Sequence, residues 1–156
     1  MRALLQRVTE AQVGVDGEVV GSIDEGLLVF LGVFPSDTEA DADWLAAKTL
    51  ALRIFPDQEP DQEPDQAHNM NRSVADVNGG VLVVSQFTLA ADTRRGNRPG
   101  FSTAAPPAQA EQLYDYFIGH LRSTHAPIAA GRFGAHMKVH LVNDGPVTIL
   151  LEHPRV

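Results

Sequence analysis

The chain has no cysteine. That absence removes disulfides, a thiol nucleophile and thiolate metal ligands together. No uninterrupted apolar run approaches the ~18 residues that a membrane-spanning helix needs, so no membrane association is expected. The opening stretch MRALLQRVTE carries an early arginine but no long apolar segment or small-residue cleavage site, which predicts a cytoplasmic protein without an export signal. Familiar catalytic signatures are also missing: no Walker-type glycine loop, no dinucleotide fingerprint, no Gly-x-Ser-x-Gly and no His-Glu-x-x-His. Positive charge is in short supply, with 12 Lys and Arg against 20 Asp and Glu and a net charge of −8. That balance argues against general adhesion to nucleic acid, and DNA is not an expected partner.

What remains is enough for one compact domain: 156 residues, 44% of them hydrophobic. The negative charge is uneven. DQEPDQEPDQ (57–66) repeats a four-residue unit and holds five acids; without it, 15 acids face 12 bases. With two prolines and no apolar residue, it reads as a solvated loop at about 56–68, inserted in a single domain spanning 1–156. DTRRGNRPGF does the reverse, gathering Arg94, Arg95 and Arg98 around glycines as a local basic loop on an acidic body.

Hydrophobic periodicity gives the order β-β-β-α-β-α-β-β. Residues 3–33 alternate through Val8, Val13 and Val15, pause at Asp16–Gly17 as a hairpin turn does, and end in the apolar run LLVFLGV. SDTE (36–39) has the form of a capping box for a helix over about Thr38 to Leu52, with Ala40, Trp44, Ala47 and Ala51 at helical spacing. GGVLVVSQFTLA reads as a second buried strand. APPAQAEQLYDYFIGHLRS reads as an amphipathic helix, with a stripe of Ala110, Leu113, Tyr114, Phe117, Ile118 and Leu121. HMKVHLVNDGPVTILLE reads as two strands around an Asn143–Asp144–Gly145 turn, although Pro146 offers the returning strand no N–H. The expected fold is a single α/β domain with helices packed on a mixed sheet.

Three features could carry chemistry. Among six histidines, His136 and His140 have the even separation that shares a strand face, but without a third ligand they do not make a metal site. The strand entering as Val81–Val84 turns polar at Ser85, Gln86 and Thr88. It either meets water at the sheet's end or lines a pocket there. Ser85 or Thr88 could then be a hydroxyl nucleophile, but spacing identifies no base to activate one. The three arginines follow directly on this strand end and could grip phosphate, or they could be a solvated turn.

Together SQFTLAADT, NDGPVT, ALLQRV and GRFGAHM resemble the D-aminoacyl-tRNA deacylase family, in the same relative order and over nearly the whole chain. SQFTL and NDGP are that family's two signature motifs; the acidic loop is longer here than is usual for it. The resemblance implies a three-layer α/β/β domain and a homodimeric hydrolase without metal or cofactor. It would release D-amino acids, or mischarged glycine, from the 3′-terminal adenosine of tRNA. It further implies a cis Gly145–Pro146 peptide inserted into the partner's pocket as a chiral filter. Ser85, Gln86 and Phe87 would then face the adenosine and the ester, with backbone N–H groups of Phe87 and Thr88 near the oxyanion. Phe133 and Met137 would be at the pocket wall. By charge, Arg94, Arg95 and Arg98 are the candidates for the RNA phosphates; Arg7 could buttress the site through a salt bridge or hydrogen bonds, but the sequence does not assign its role. Two alternatives remain: a non-catalytic nucleotide- or RNA-binding module, and a Ser- or Thr-nucleophile esterase.

Overall fold

A computed structural model describes residues 1–57 and 69–154. The elements run β1 (Arg2–Val15), β2 (Glu18–Ile23), β3 (Gly26–Gly32), α1 (Glu39–Ala51), β4 (Phe55–Pro56), β5 (Met70–Arg72), β6 (Gly80–Ser85), a 3-10 turn (Phe87–Ala90), α2 (Pro107–Thr124), β7 (Ile128–Ala130) and β8 (Lys138–Glu152). The fold is a single α/β domain. Residues 58–68 of the acidic loop, including His68, lie outside the described residues.

The sheet runs β2-β1-β3-β6-β7, and β8 pairs with the other side of β1. At its centre β3 and β6 are parallel. Both are buried on two faces, which is why LLVFL and VLVV read as unbroken apolar runs. Leu27, Val29, Leu31, Val81 and Val83 point to a core shared with Leu45, Leu113, Phe117 and Leu121 of the helices. Leu28, Leu82 and Val84 point the other way, into a second core with Val13, Val15 and Ile23. Two cores on opposite faces of one sheet make three layers.

β1 serves both cores by changing phase. Ala3 and Leu5 face the helices, whereas Ala11, Val13 and Val15 face the second core although they too are odd-numbered. Against β8, Val8 pairs with Asn143 and Glu10 with Val142, so one extra residue of β1 is inserted there. A one-residue bulge turns every later side chain to the opposite face and bends the strand. The β1–β2 turn is the expected hairpin, with Asp16 and Gly17 both at positive φ (50° and 81°).

Four local expectations need correction. The helix cap sits two residues later than SDTE suggests: the Asp41 carboxylate accepts from the Thr38 N–H (2.8 Å) and hydroxyl (3.0 Å). Ser36 is left outside because Asp37 is used elsewhere, buried between the Met1 ammonium (2.7 Å) and the Phe34 N–H (2.7 Å). α1 buries Ala42, Leu45, Ala46 and Thr49, not the Ala40–Trp44–Ala47–Ala51 stripe. Alanine tolerates either face, and Trp44 is occupied by stacking on His153 (4.3 Å between centroids). GGVLVVSQFTLA is not one strand; β6 ends at Ser85, and Phe87–Ala90 wind into the 3-10 turn. NDGP does not reverse the chain either. Both halves of β8 pair antiparallel with the one long strand β1, so residues 144–147 loop out between the Asn143–Val8 and Thr148–Gln6 pairs. The short strands β4, β5 and β7 leave no readable period in the sequence.

Candidate active site

The parallel pair β3–β6 ends at Leu31 and Ser85, and a pocket of about 550 Å³ opens there. Its floor is Leu31, Val33 and Val84; one wall is Ser85, Gln86 and Phe87. The opposite wall is Phe133 to Met137, and Phe101 and Ala104 close a third side. Five residues expected at the substrate are thus brought together: Ser85, Gln86, Phe87, Phe133 and Met137. Ligand sites collect at such strand ends because the backbone diverges there and leaves a crevice. Gln86 N–H still donates to Leu31 O (2.8 Å), which fixes where β6 stops being a strand.

The wall is rigid behind and aromatic in front. Tyr114, buried on α2, donates its hydroxyl to Val83 O (3.1 Å) and packs its ring 5.8 Å from that of Phe133. Phe87 is 55% exposed and meets Phe101 edge-on at 5.1 Å, so a flat apolar face is presented at the pocket mouth. Sequence motifs do not single out Phe101. Its one signal is its place just beyond the basic loop, where an aromatic after Pro-Gly has no helix or strand to pack into. His136, which the sequence suggests only as half of a metal pair, also lines the pocket; among the described lining residues it is the one titratable side chain. His140 of β8 lies instead with Glu10 and Gln12 of β1, Ser22 of β2 and Asp24 just beyond it.

Burial pushes the Tyr114 hydroxyl up to about 12. Its folded value therefore exceeds its unfolded one, and the stability it contributes is complete below about pH 10 and is lost as pH rises through 12. Tyr114→Phe is expected to weaken the fold at neutral pH and to blunt its alkaline unfolding. Near-UV circular dichroism from pH 8 to 12.5 checks both.

Thr88 stands beside the pocket in the 3-10 turn, exposed, its hydroxyl accepting from the Gln86 side-chain amide. The first N–H groups of such a turn have no intrahelical acceptor, and here they are those of Phe87 and Thr88. Arg94, Arg95 and Arg98 do not line the pocket. They project from the loop 93–99, which is closed by paired backbone bonds between Asp92 and Gly100 (2.8 and 2.9 Å). Arg94 is held by Asp92 through Nε (2.9 Å) and Nη2 (2.8 Å). That guanidinium, with the Arg94 N–H, keeps the Asp92 carboxyl far below the usual carboxylate range.

Gly145 and Pro146 are absent from this pocket. Their peptide is cis and lies in the β8 bulge, level with Arg7 and thus with Leu27 of β3. Leu31 is four residues further on, about 13 Å along a strand. Arg7 braces the bulge: Nη1 donates to Ile54 O (2.7 Å), Nε donates to Asp144 O (3.2 Å), and Nε pairs with the Asp144 carboxylate (3.3 Å). These bonds tie Arg7 to the bulge and not to the lining of the chain's own pocket.

A family model described as D-Tyr-tRNA(Tyr) deacylase matches residues 4–152. The chain is 58% identical over 152 residues to a D-aminoacyl-tRNA deacylase of Pseudomonas fluorescens, covering 97% of this chain and 99% of that protein. It is 55% identical over 155 residues to one of Geobacter metallireducens, covering 99% and 97%. A solved structure described as a c-Myc DNA Unwinding Element Binding Protein superposes with a TM-score of 0.89 at 43% identity, covering 99% of this chain and 100% of that one. Another, described as a structural analysis of a probable eukaryotic D-amino acid tRNA deacylase, shares the fold at a TM-score of 0.78 and 16% identity, over 96% and 97% of the two chains. Matched over nearly its whole length by the family model and by relatives this similar, the chain belongs to the D-aminoacyl-tRNA deacylase family.

Proposed function

We propose that the protein hydrolyses the ester joining a D-amino acid, or mischarged glycine, to the 3′-terminal adenosine of tRNA, acting in the cytoplasm as a homodimer. The observation that carries this reading is the composition of the pocket: an apolar cleft with Ser85, Gln86 and an exposed Phe87 at its rim and, among the described lining residues, no carboxylate or lysine. Phe87 offers a stacking face to adenine, and Ser85 and Gln86 offer hydrogen bonds to its edge and ribose. The N–H groups of Phe87 and Thr88 stabilise the oxyanion of the tetrahedral intermediate. Among the described residues no hydrogen bond joins His136, the one titratable lining side chain, to Ser85 or Thr88, which supports a route in which the ribose 2′-hydroxyl of the substrate assists water and the protein contributes orientation.

The bulge supports the dimer. A wedge made of the Gly145 and Pro146 carbonyls reads handedness without reading side-chain identity, because it senses only the α-ammonium and the direction of the side chain. It is level with Leu27, about 13 Å along the strand direction from the pocket at Leu31, which supports a site completed by the partner's copy.

The nucleophile reading fares worse. The Thr88 hydroxyl is engaged by the Gln86 amide, a donor and not a base. Thr88→Ala is expected to keep kcat/KM within about tenfold of the unaltered protein, whereas loss of a covalent nucleophile costs about 10⁴-fold or more. Single-turnover deacylation distinguishes the two. A non-catalytic nucleic-acid module is favoured only by the likeness, at 43% identity, to the solved c-Myc DNA Unwinding Element Binding Protein. Incubating the protein with D-, L- and glycyl-tRNA, and with D-aminoacyl-tRNA ending in 2′-deoxyadenosine, separates these readings. Selective release from D- and glycyl-tRNA, lost with the 2′-deoxy end, is expected. Protection without release would identify a binder.

A further inference from the structure

The loop 93–99 beside the Phe87–Phe101 rim carries three arginines, but one of them is neutralised from within. Asp92 sits at the loop's base and is held there by its two backbone bonds to Gly100. Its carboxylate takes both Nε and Nη2 of Arg94, and Oδ1 also accepts the Arg94 backbone N–H (3.1 Å). Arg95 and Arg98 are exposed, and among the described residues neither has an acidic partner within ion-pair distance. The loop therefore presents two net positive charges, not three. Phe101, next to the closing Gly100, lines the pocket with Phe87 and so joins the base of this loop to the pocket's edge.

We infer that Asp92 limits the affinity of this rim for the phosphates of the tRNA 3′ end, by cancelling Arg94 while Arg95 and Arg98 make the phosphate contacts. The inference rests on the proposed seating of the terminal adenosine in the pocket and goes further, assigning a role to a residue outside it. The physical reason is mass action on a product. Uncharged tRNA keeps every phosphate of the substrate, so each phosphate contact holds product as firmly as substrate and contributes nothing to the chemical step. An acid beside three arginines lowers that shared term. It leaves the pocket, which alone sees the aminoacyl group, to discriminate.

The alternative role for Asp92 is purely structural, since it pins the loop. Charge and structure separate in Asp92→Asn, which keeps an oxygen for the Arg94 N–H and Nε and so the loop's local bond, while losing the charge and the second acceptor that holds Nη2. For a single-stranded end, each added phosphate contact steepens the dependence of log affinity on log salt by about 0.7. Between 50 and 200 mM salt, D92N should therefore lose about threefold more affinity than the unaltered protein, for D-aminoacyl-tRNA and uncharged tRNA alike. At 50 mM salt it should bind both more tightly and release product more slowly. Arg95→Gln combined with Arg98→Gln should do the reverse, making the salt loss about sevenfold smaller. D92N with Arg94→Gln restores the net charge and should restore the salt slope.

The decisive experiment is a salt titration of tRNA affinity for these variants, with thermal midpoints to confirm folding. An unchanged or shallower slope in D92N, or a steeper one that R94Q fails to reverse, overturns the inference. Hydrolysis of D-aminoacyl-adenosine, which has no phosphate, by the unaltered protein tests the proposed activity separately. Its absence would sink the activity, while an unchanged D92N slope would sink only the role of Asp92.

Discussion

Replacing Arg7 with alanine is expected to lower kcat/KM for D-aminoacyl-tRNA by about 100-fold and stability by about 2–3 kcal/mol. Its side chain is only 11% exposed and ties together two segments distant in sequence, Ile54 after α1 and Asp144 in the bulge. Ile54 is buried, so losing its 2.7 Å charge-assisted bond leaves a carbonyl without water to replace the donor. The ion pair with the half-exposed Asp144 carboxylate contributes little by itself. The larger consequence is positional. A bulge without its brace no longer holds the Gly145 and Pro146 carbonyls to within the fraction of an ångström that a steric filter needs, and a misplacement of about 1 Å costs about 100-fold in rate. Arg7→Lys keeps the charge but cannot span both acceptors, and it should recover stability more than activity. Urea unfolding and single-turnover deacylation measure the two effects. A variant that lost stability but kept full D-selective activity would show that the bulge is not part of the site.

Gly145→Ala is expected to lower activity on D-aminoacyl-tRNA by about 100-fold as well, with a stability loss of no more than about 1–3 kcal/mol. Gly145 has φ of 121°, where an L side chain is strained. A Cβ there would also stand 2.9 Å from Val147 Cγ2 and 3.1 Å from Arg7 Nη2. Because residues 144–146 are exposed, the bulge can shift to relieve both, and the core need not respond. On the proposed reading, the shift itself disables the filter. Deacylation of matched D- and L-aminoacyl-tRNA, set against the thermal midpoint, measures the split. Full D-selectivity in this variant would contradict the assignment of the bulge.

The sequence disclosed the two features that depend on local pattern, and missed those that depend on pairing. The unbroken apolar runs of β3 and β6 and the stripe of α2 were readable because burial on two faces, or on one helical face, leaves a period in the sequence. The α1 stripe misled because alanine fits either face, and the tryptophan that weighted the reading is stacked outward on His153. Asn-Asp-Gly is a turn signal only when a second strand waits to pair. Here β1 is long enough to pair with both sides of it, and the signal becomes a bulge. The motifs located the pocket wall at Ser85–Phe87 and Phe133–Met137. They could not show that Phe101 joins it, because that meeting is made by loop closure and not by spacing.

Activity per chain, followed for D- and L-aminoacyl-tRNA across protein concentrations that span dissociation of the proposed dimer, tests the central claim most directly. The account predicts that release of the D-amino acid falls in proportion to the dimer fraction measured by sedimentation, with L-aminoacyl-tRNA spared throughout. Constant D-selective activity at concentrations where only single chains sediment would contradict it.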